Sequence, residues 1–396
     1  MKIITTKEKL PKTWKKSIFL AGPSSRNNGD NITEWRKEAC NILKEKGFDG
    51  VVFIPEPYIK EDYDKQVEWE NECLNMADCI LFWVPRSIDL PGFTTNVEFG
   101  DWMKSGKVIF GAPNDAIKIR YLKYKAKQYF IPIRTNLEHT VEEALKYIGE
   151  GAIRKDGERY VPIHIWRTKQ FQNWYESIKD AGNILEGAKV EWSFRVGKNK
   201  EKIFCWIMHV NIYITKEKRN KVNEFILSRT DIVSVVAYKP SSDILSTEIL
   251  LVKEFRSPCS NYSGFVHELP SGSSKDDNKH MGDVVVDELK EETGLDINKS
   301  RFNIIKSRQV AATLSTHKAC LYSIKLSEEE INKLKDTKRE YGQENDTERT
   351  YVLVRTLKQI LSDNLLDYAN LGMVFQAITH NELESSTSDW IGNFLK

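Results

Sequence analysis

Short apolar runs alternating with stretches of helical periodicity open the chain. Ser17-Ile-Phe-Leu-Ala21, Val51-Val-Phe-Ile54, Cys79-Ile-Leu-Phe-Trp-Val84 and residues 107–110 are four to six residues long and almost wholly apolar, the pattern of strands buried on both faces. Between the first two, Ile32, Trp35, Ala39, Ile42 and Leu43 recur at helical spacing up to Gly47, and the pattern predicts further helices over 64–78 and 96–105. This alternation implies a mostly parallel, Rossmann-like sheet with helices on both faces. Ligands then bind beyond the carboxyl ends of the strands, here in loops 22–30, 55–60, 85–97 and 111–116. A helix over 139–150 follows, with Val141, Ala144, Leu145 and Ile148 on one face, and the Gly-containing charged stretch 149–158 reads as a linker. A first domain over 1–150 and a second over 151–396 are expected.

In the second part, an aromatic helix ending near Asp180 carries Trp166, Phe171, Trp174 and Tyr175, a density that fits packing against another domain or subunit, or stacking on a base. Strands are predicted over 189–196, 203–214, 232–238, 247–255 and 350–354, and helices over 280–293, 357–361 and 366–382. His164 reads as a packed or exposed side chain rather than a ligand.

Composition narrows the classes. Of 396 residues, 40% are hydrophobic and 29% charged, with a net charge of +2, which is ordinary for a globular protein and gives no electrostatic reason to expect nucleic acid. Six scattered cysteines without a Cys-x-x-Cys pair argue for reduced thiols and a cytoplasmic protein. The first 17 residues are charged and lack an apolar core, so no signal peptide is expected. The longest apolar run, Cys79 to Val84, is far too short to cross a membrane.

The predicted loops hold candidate chemistry. Thr94-Thr-Asn-Val-Glu98-Phe-Gly100 places a carboxylate in the first turn of the predicted helix, where the backbone dipole favours ionisation. With Gly22-Pro-Ser-Ser-Arg26, Trp69-Glu70 and Ala77-Asp78, the stretch 17–125 resembles the nucleoside 2-deoxyribosyltransferases and their nucleotide N-glycosidase relatives. The resemblance implies that Glu98 attacks C1′ of a (deoxy)ribosyl group, as glycosidase carboxylates do. It places Glu70 near the sugar or base as the acid and Ser24, Ser25 and Arg26 at the sugar 5′ end, with Gly22 and Asn96 completing the substrate-binding set. Arg26 suits a 5′-phosphate. Asp78 reads as structural. Gly92 stands where the transferases carry an Asp, which favours hydrolysis over base exchange.

A second constellation lies in Asp287-Glu288-Leu289-Lys290-Glu291-Glu292-Thr293-Gly294-Leu295. Glu288, Glu291 and Glu292 crowd one face of a single turn, where like charges repel by roughly a few tenths of a kcal/mol per pair. A hard cation such as Mg2+ or Mn2+ would offset that repulsion and bind phosphate oxygens. With Gly264-Phe-Val-His-Glu-Leu-Pro-Ser-Gly272 upstream, the region resembles the Nudix hydrolases, most closely the ADP-ribose pyrophosphatase branch. The second half of that family's box is matched at Glu288, Leu289, Glu291, Glu292, Gly294 and Leu295. In the first half, Ser273 takes the Gly position, Lys279 the Glu position and Asp287 the Arg position. Because that Glu and Arg pair in the family, Lys279 and Asp287 are expected to form the same pair with signs exchanged.

The Nudix resemblance implies an α/β/α domain with a mixed sheet and an N-terminal extension over about 159–200. Its metal ligands would be Glu288, Glu292 and the Ser271 carbonyl, with Glu291 in support and Arg256 on a pyrophosphate. A catalytic carboxylate would come from the loop holding Glu344, Asp346 and Glu348. It also implies a homodimer or higher homo-oligomer. Together the two resemblances imply a bifunctional hydrolase of a nucleoside diphosphate derivative, ADP-ribose-like, NAD-like or non-standard. A nucleotide sensor without turnover is the alternative.

Overall fold

The computed structural model describes residues 1–6, 8–24, 32–57, 62–273, 279–336, 340–341 and 349–380. The chain divides into two compact units, Met1–Ser228 and Arg229–Lys396.

The first unit is built on β1 (Lys2–Thr5), β2 (Thr13–Trp14), β3 (Ser17–Ala21), α1 (Glu34–Glu45), β4 (Val51–Ile54), α2 (Tyr63–Met76), β5 (Cys79–Trp83), α3 (Phe93–Trp102), β6 (Val108–Gly111), α4 (Arg120–Gln128), β7 (Ile133–Arg134) and α5 (Leu137–Ile148). Six of these strands form a parallel sheet in the order β1-β4-β3-β5-β6-β7. Successive residues point to opposite faces of a strand, and the two cores follow that alternation. Phe19, Phe53, Phe82 and Phe110 pack under α2, α3 and α4, while Leu20, Val52, Leu81 and Ile109 pack under α1 and α5. The expected doubly covered sheet is present. Strand β1 escaped notice because its charged flanks hide a short edge strand in which only Ile4 is buried.

The domain boundary expected near residue 150 is displaced to residues 228–229. The stretch 149–158 is no free linker, because it contains β8 (Arg154–Lys155), which pairs with β2. Arg154 itself is fully buried, donating to the Asp78 carboxylate and, at 2.9 Å, to the Val161 carbonyl. Asp78 also accepts from the Ser17 backbone at 2.9 Å and its hydroxyl at 3.0 Å, so its role is structural. Beyond lie α6 (Ile163–Trp166), α7 (Lys169–Asp180) and an antiparallel sheet of β9 (Ile184–Val196), β10 (Lys202–Ile214) and β11 (Arg219–Arg229), with β9 and β11 at its edges. Phe171 and Tyr175 of α7 pack on Leu185, Trp206 and Met208 of this sheet, with Trp166 and Trp174 against the same cluster. The aromatic helix therefore serves its own unit's core.

The second unit contains β12 (Ile232–Lys239), β13 (Glu248–Phe255), β14 (Phe265–Glu268), β15 (Ser271–Gly272), α8 (Met281–Thr293), β16 (Asn303–Gln309), β17 (Lys318–Lys325), α9 (Glu328–Lys335), β18 (Glu340–Tyr341), β19 (Thr350–Thr356), α10 (Leu357–Ser362) and a last helix over 368–380. Its sheet runs β16-β17-β12-β13-β19-β18, with β14 beside β13 and β15 beside β12. The β12–β17 pairing is parallel and the others are antiparallel, so the sheet is mixed. Val284, Val285 and Leu289 seat α8 on one face together with Ile331 and Leu334 of α9. Leu357 and Ile360 of α10, with Val374 and Ala377, cover the other. No described helix is long and apolar enough to cross a membrane.

Candidate functional site

At the carboxyl end of β3 the chain turns through Gly22, whose φ is +151°; a Cβ there would lie 2.1 Å from the Trp83 carbonyl oxygen. Only glycine lets the turn pass so close to β5. Helix α1 fixes this turn from beneath. The Trp35 indole donates to the Pro23 carbonyl at 2.9 Å. Arg36, 1% exposed, donates to the carbonyls of Leu20 at 3.1 Å and Gly22 at 2.7 Å and to the Ser24 hydroxyl at 2.8 Å. Its charge is met by buried Glu56, 2.9 Å away, which also accepts from the Thr33 backbone at 2.7 Å and hydroxyl at 2.5 Å. Ser24 is thus tied to Arg36, while Ser25 and Arg26 lie outside the described residues.

Two half-buried carboxylates face this framework electrostatically. On α2, Glu70 accepts from the Gln66 amide at 2.6 Å; burial raises its pKa, while Gln66 and Arg36 oppose the rise. On α3, Glu98 has its pKa pushed up to about 7, first by burial and then by the Glu70 charge, against the pull of Arg36. Glu98 does not occupy the first helical turn as its sequence context predicted. Helix α3 starts earlier, at Phe93, after Gly92 adopts a left-handed φ of 59°. The carboxylate therefore stands in the second turn, beyond the reach of the N-terminal dipole, and desolvation dominates. Asn96 is held by buried Arg86, which donates to its side-chain oxygen at 2.5 Å and to the Lys118 carbonyl at 3.2 Å.

Arg36, Glu56 and Arg86 went unrecognised in the sequence. The one available signal was Arg36 itself, a charged residue beside Trp35 and three before Ala39, on the apolar stripe of α1.

In the second unit, α8 begins at Met281 with His280 as its cap and ends at Gly294. Glu288 and Glu292 are half-buried and Glu291 is exposed. The Ser271 backbone N–H donates to the Glu292 carboxylate at 3.0 Å. A Cβ on Gly272 would lie 2.3 Å from the Glu288 carboxylate, so β15 and α8 meet through a glycine. The pKa of Glu292 is raised well above the usual range, first by burial and then by the charges of Glu288, Glu268 and Glu254. Arg256 is engaged by Glu254 at 2.9 Å and Glu268 at 3.0 Å, on the border of the same acidic cluster. Lys279 and Asp287 form the expected sign-exchanged ion pair. Glu344, Asp346 and Glu348 lie outside the described residues.

A hard cation suits this donor set chemically, because carboxylates that resist ionising together are those a cation would relieve. Among the described residues, however, no group of three or more His, Cys, Asp or Glu side chains is already gathered around one point.

Residues 15–116 match the family described as nucleoside 2-deoxyribosyltransferase like. No curated protein matches the chain. The matched segment runs from just before β3 to just after β6 and contains Gly22, Ser24, Arg36, Glu56, Glu70, Asn96 and Glu98. This part of the chain is a deoxyribosyltransferase-like domain, which implies nucleoside or nucleotide metabolism.

Proposed function

We propose that the chain is a bifunctional nucleotide hydrolase whose first unit cleaves an N-glycosidic bond with Glu98 as nucleophile and Glu70 as acid. The observation that carries this reading is the field around Glu98, a half-buried carboxylate pushed up to about 7 partly by the Glu70 charge. The Glu70 charge helps to hold the proton on Glu98 in the free site, and passing that proton to Glu70 leaves Glu98 ionised and removes the charge that opposed it. Glu98 Oε then bonds to C1′, the C1′–N bond breaks with its electron pair on the base, and Glu70 supplies the proton. Water hydrolyses the resulting ester, and the proton that it gives up restores the acid. Arg36 acts beneath the site, keeping the Gly22–Ser24 turn in place.

The second unit is read as a Nudix-type pyrophosphatase. Glu288, Glu292 and the Ser271 carbonyl would hold Mg2+ or Mn2+, with Glu291 in support. Such an ion stabilises charge on phosphate oxygens and lowers the pKa of water. The acidic shell of Glu254 and Glu268 keeps the Glu292 environment attractive to a cation, and the Ser271 N–H orients its carboxylate. Substrates of the ADP-ribose, NAD or non-standard nucleotide class contain both scissile bonds.

Mass spectrometry of a nucleotide pool incubated with Mg2+ tests this reading. Wild type should release free base and monophosphate, Glu98→Ala should lose only the base, and Glu292→Gln should lose only pyrophosphate cleavage. A pool left intact by wild type overturns the catalytic reading.

A further inference from the structure

A cavity of about 760 Å³ opens in the Met1–Ser228 unit. It is lined by Gly106, which precedes β6, Phe130, which precedes β7, Tyr147 near the end of α5, and Trp192, Phe194 and Arg195 of β9. Gly106 and Phe130 lead into parallel strands, whereas Gly22 and Glu56 follow them. The cavity therefore lies at the amino ends of the sheet and the Glu98 site at the carboxyl ends.

Arg195 lies beside His164, close to Gly106, and its charge acts on His164 and Tyr147. One of its terminal nitrogens is buried without a hydrogen-bond partner, burial lowers its pKa, and among the described residues no carboxylate pairs with it. A Cβ on Gly106 would lie 2.4 Å from its guanidinium nitrogen, so this glycine, with φ +74°, leaves room for the cation. A desolvated charge without a counter-charge is destabilising, and an entering anion would offset it. Three acids also line the cavity, but each has a partner. Glu143 pairs with Arg134 at 2.6 Å, Glu191 with Lys189 at 3.0 Å, and Glu201 accepts from the Asn199 backbone at 2.9 Å. Lys104, Lys146 and Lys200 add positive charge to the same wall, with the Lys200 ammonium over the Phe194 ring at 5.4 Å.

Two aromatic rings of β9 line the same cavity. Trp192 and Phe194 are stacked with centroids 5.9 Å apart and an interplanar angle of 20°, yet they are 50% and 43% exposed. They project from an edge strand of their sheet. Exposed aromatic rings and unpaired positive charge lining one cavity fit an aromatic ring that carries a phosphate. The volume falls in the usual range for small-molecule sites, roughly 300–1,000 Å³.

We propose that this cavity is a second, non-catalytic mononucleotide site, with the phosphate on Arg195 and its lysine neighbours and the base stacked on Trp192. The assignment is independent of the role given to Glu98.

The full chain carrying Glu98→Ala and Glu292→Gln, titrated calorimetrically with adenosine 5′-monophosphate, provides the test. That probe is suitable because stacking and phosphate contacts tolerate any base. Adding Trp192→Ala or Arg195→Gln should weaken one binding event at least tenfold, and adenosine and ribose 5-phosphate should each bind at least tenfold more weakly there than the nucleotide. Trp192→Ala changes a half-exposed side chain, so an unchanged melting curve would separate lost binding from lost folding. Equal affinity and stoichiometry with and without the two substitutions, or no nucleotide binding at all, would overturn the proposal.

Discussion

Arg36 and Glu56 form an ion pair at 2.9 Å with both side chains almost wholly buried. It joins α1 to the end of β4 directly under the Gly22–Ser24 turn, so one charge pair supports both the fold and the candidate site. Removing either partner strands the other charge, a loss of about 3–5 kcal/mol. Arg36→Met should lower the denaturation midpoint accordingly. It should also raise the Glu98 pKa, because Arg36 opposes the effects of burial and of Glu70. A variant as stable as wild type would refute this account of the pair.

The Glu98 pKa of about 7 sets a pH dependence for base release. The site must hold one proton, with Glu98 ionised and Glu70 protonated, so release should follow a bell-shaped profile that falls as pH rises through about 7, where the last proton leaves the pair. A pH–rate profile that stays flat above pH 7 would contradict the one-proton pair.

Stability should move the other way with pH. The pKa of Glu98 is raised in the folded state, so its stabilising contribution is fully present below the ordinary value of 4.5 and is lost as pH rises through about 7. Glu98→Gln should therefore stabilise the protein at pH 8, by up to ~3 kcal/mol, and make little difference at pH 4. Melting curves at the two pH values check this.

The sign-exchanged pair Lys279–Asp287 is partly exposed, where such pairs contribute roughly 0–1 kcal/mol. Lys279→Glu should lower the melting temperature slightly by setting two acids against each other, with Asp283 and Glu291 also near. Lys279→Glu with Asp287→Arg should restore it. Equal melting temperatures for single and double variants would remove the pair from the account.

Arg154 and Asp78 are both fully buried and tie residues beyond 150 to the sheet. Asp78→Ala should destabilise the protein by about 3–5 kcal/mol. The activity per folded molecule should be unchanged, because neither residue belongs to the Glu98 site. Active-site titration beside a denaturation curve would separate the two effects.

By itself the sequence determined the parallel sheet, the α8 helix with its acidic face, and the position of Glu98 at the carboxyl ends of the strands. These features depend on local periodicity and on short motifs, which a single stretch of chain carries. What only the tertiary structure decided was long-range. The stretch 149–158 reads as a charged linker until Arg154 meets Asp78, a partner 76 residues away. Arg36 is only a charge on the apolar stripe of α1 until Glu56 and the Gly22 carbonyl converge on it. Glu98 reads as an ionised helix-start carboxylate until its burial and Glu70 reverse the direction of its pKa shift. In each case the energy comes from desolvation and from a charge distant in sequence, and no local pattern records either.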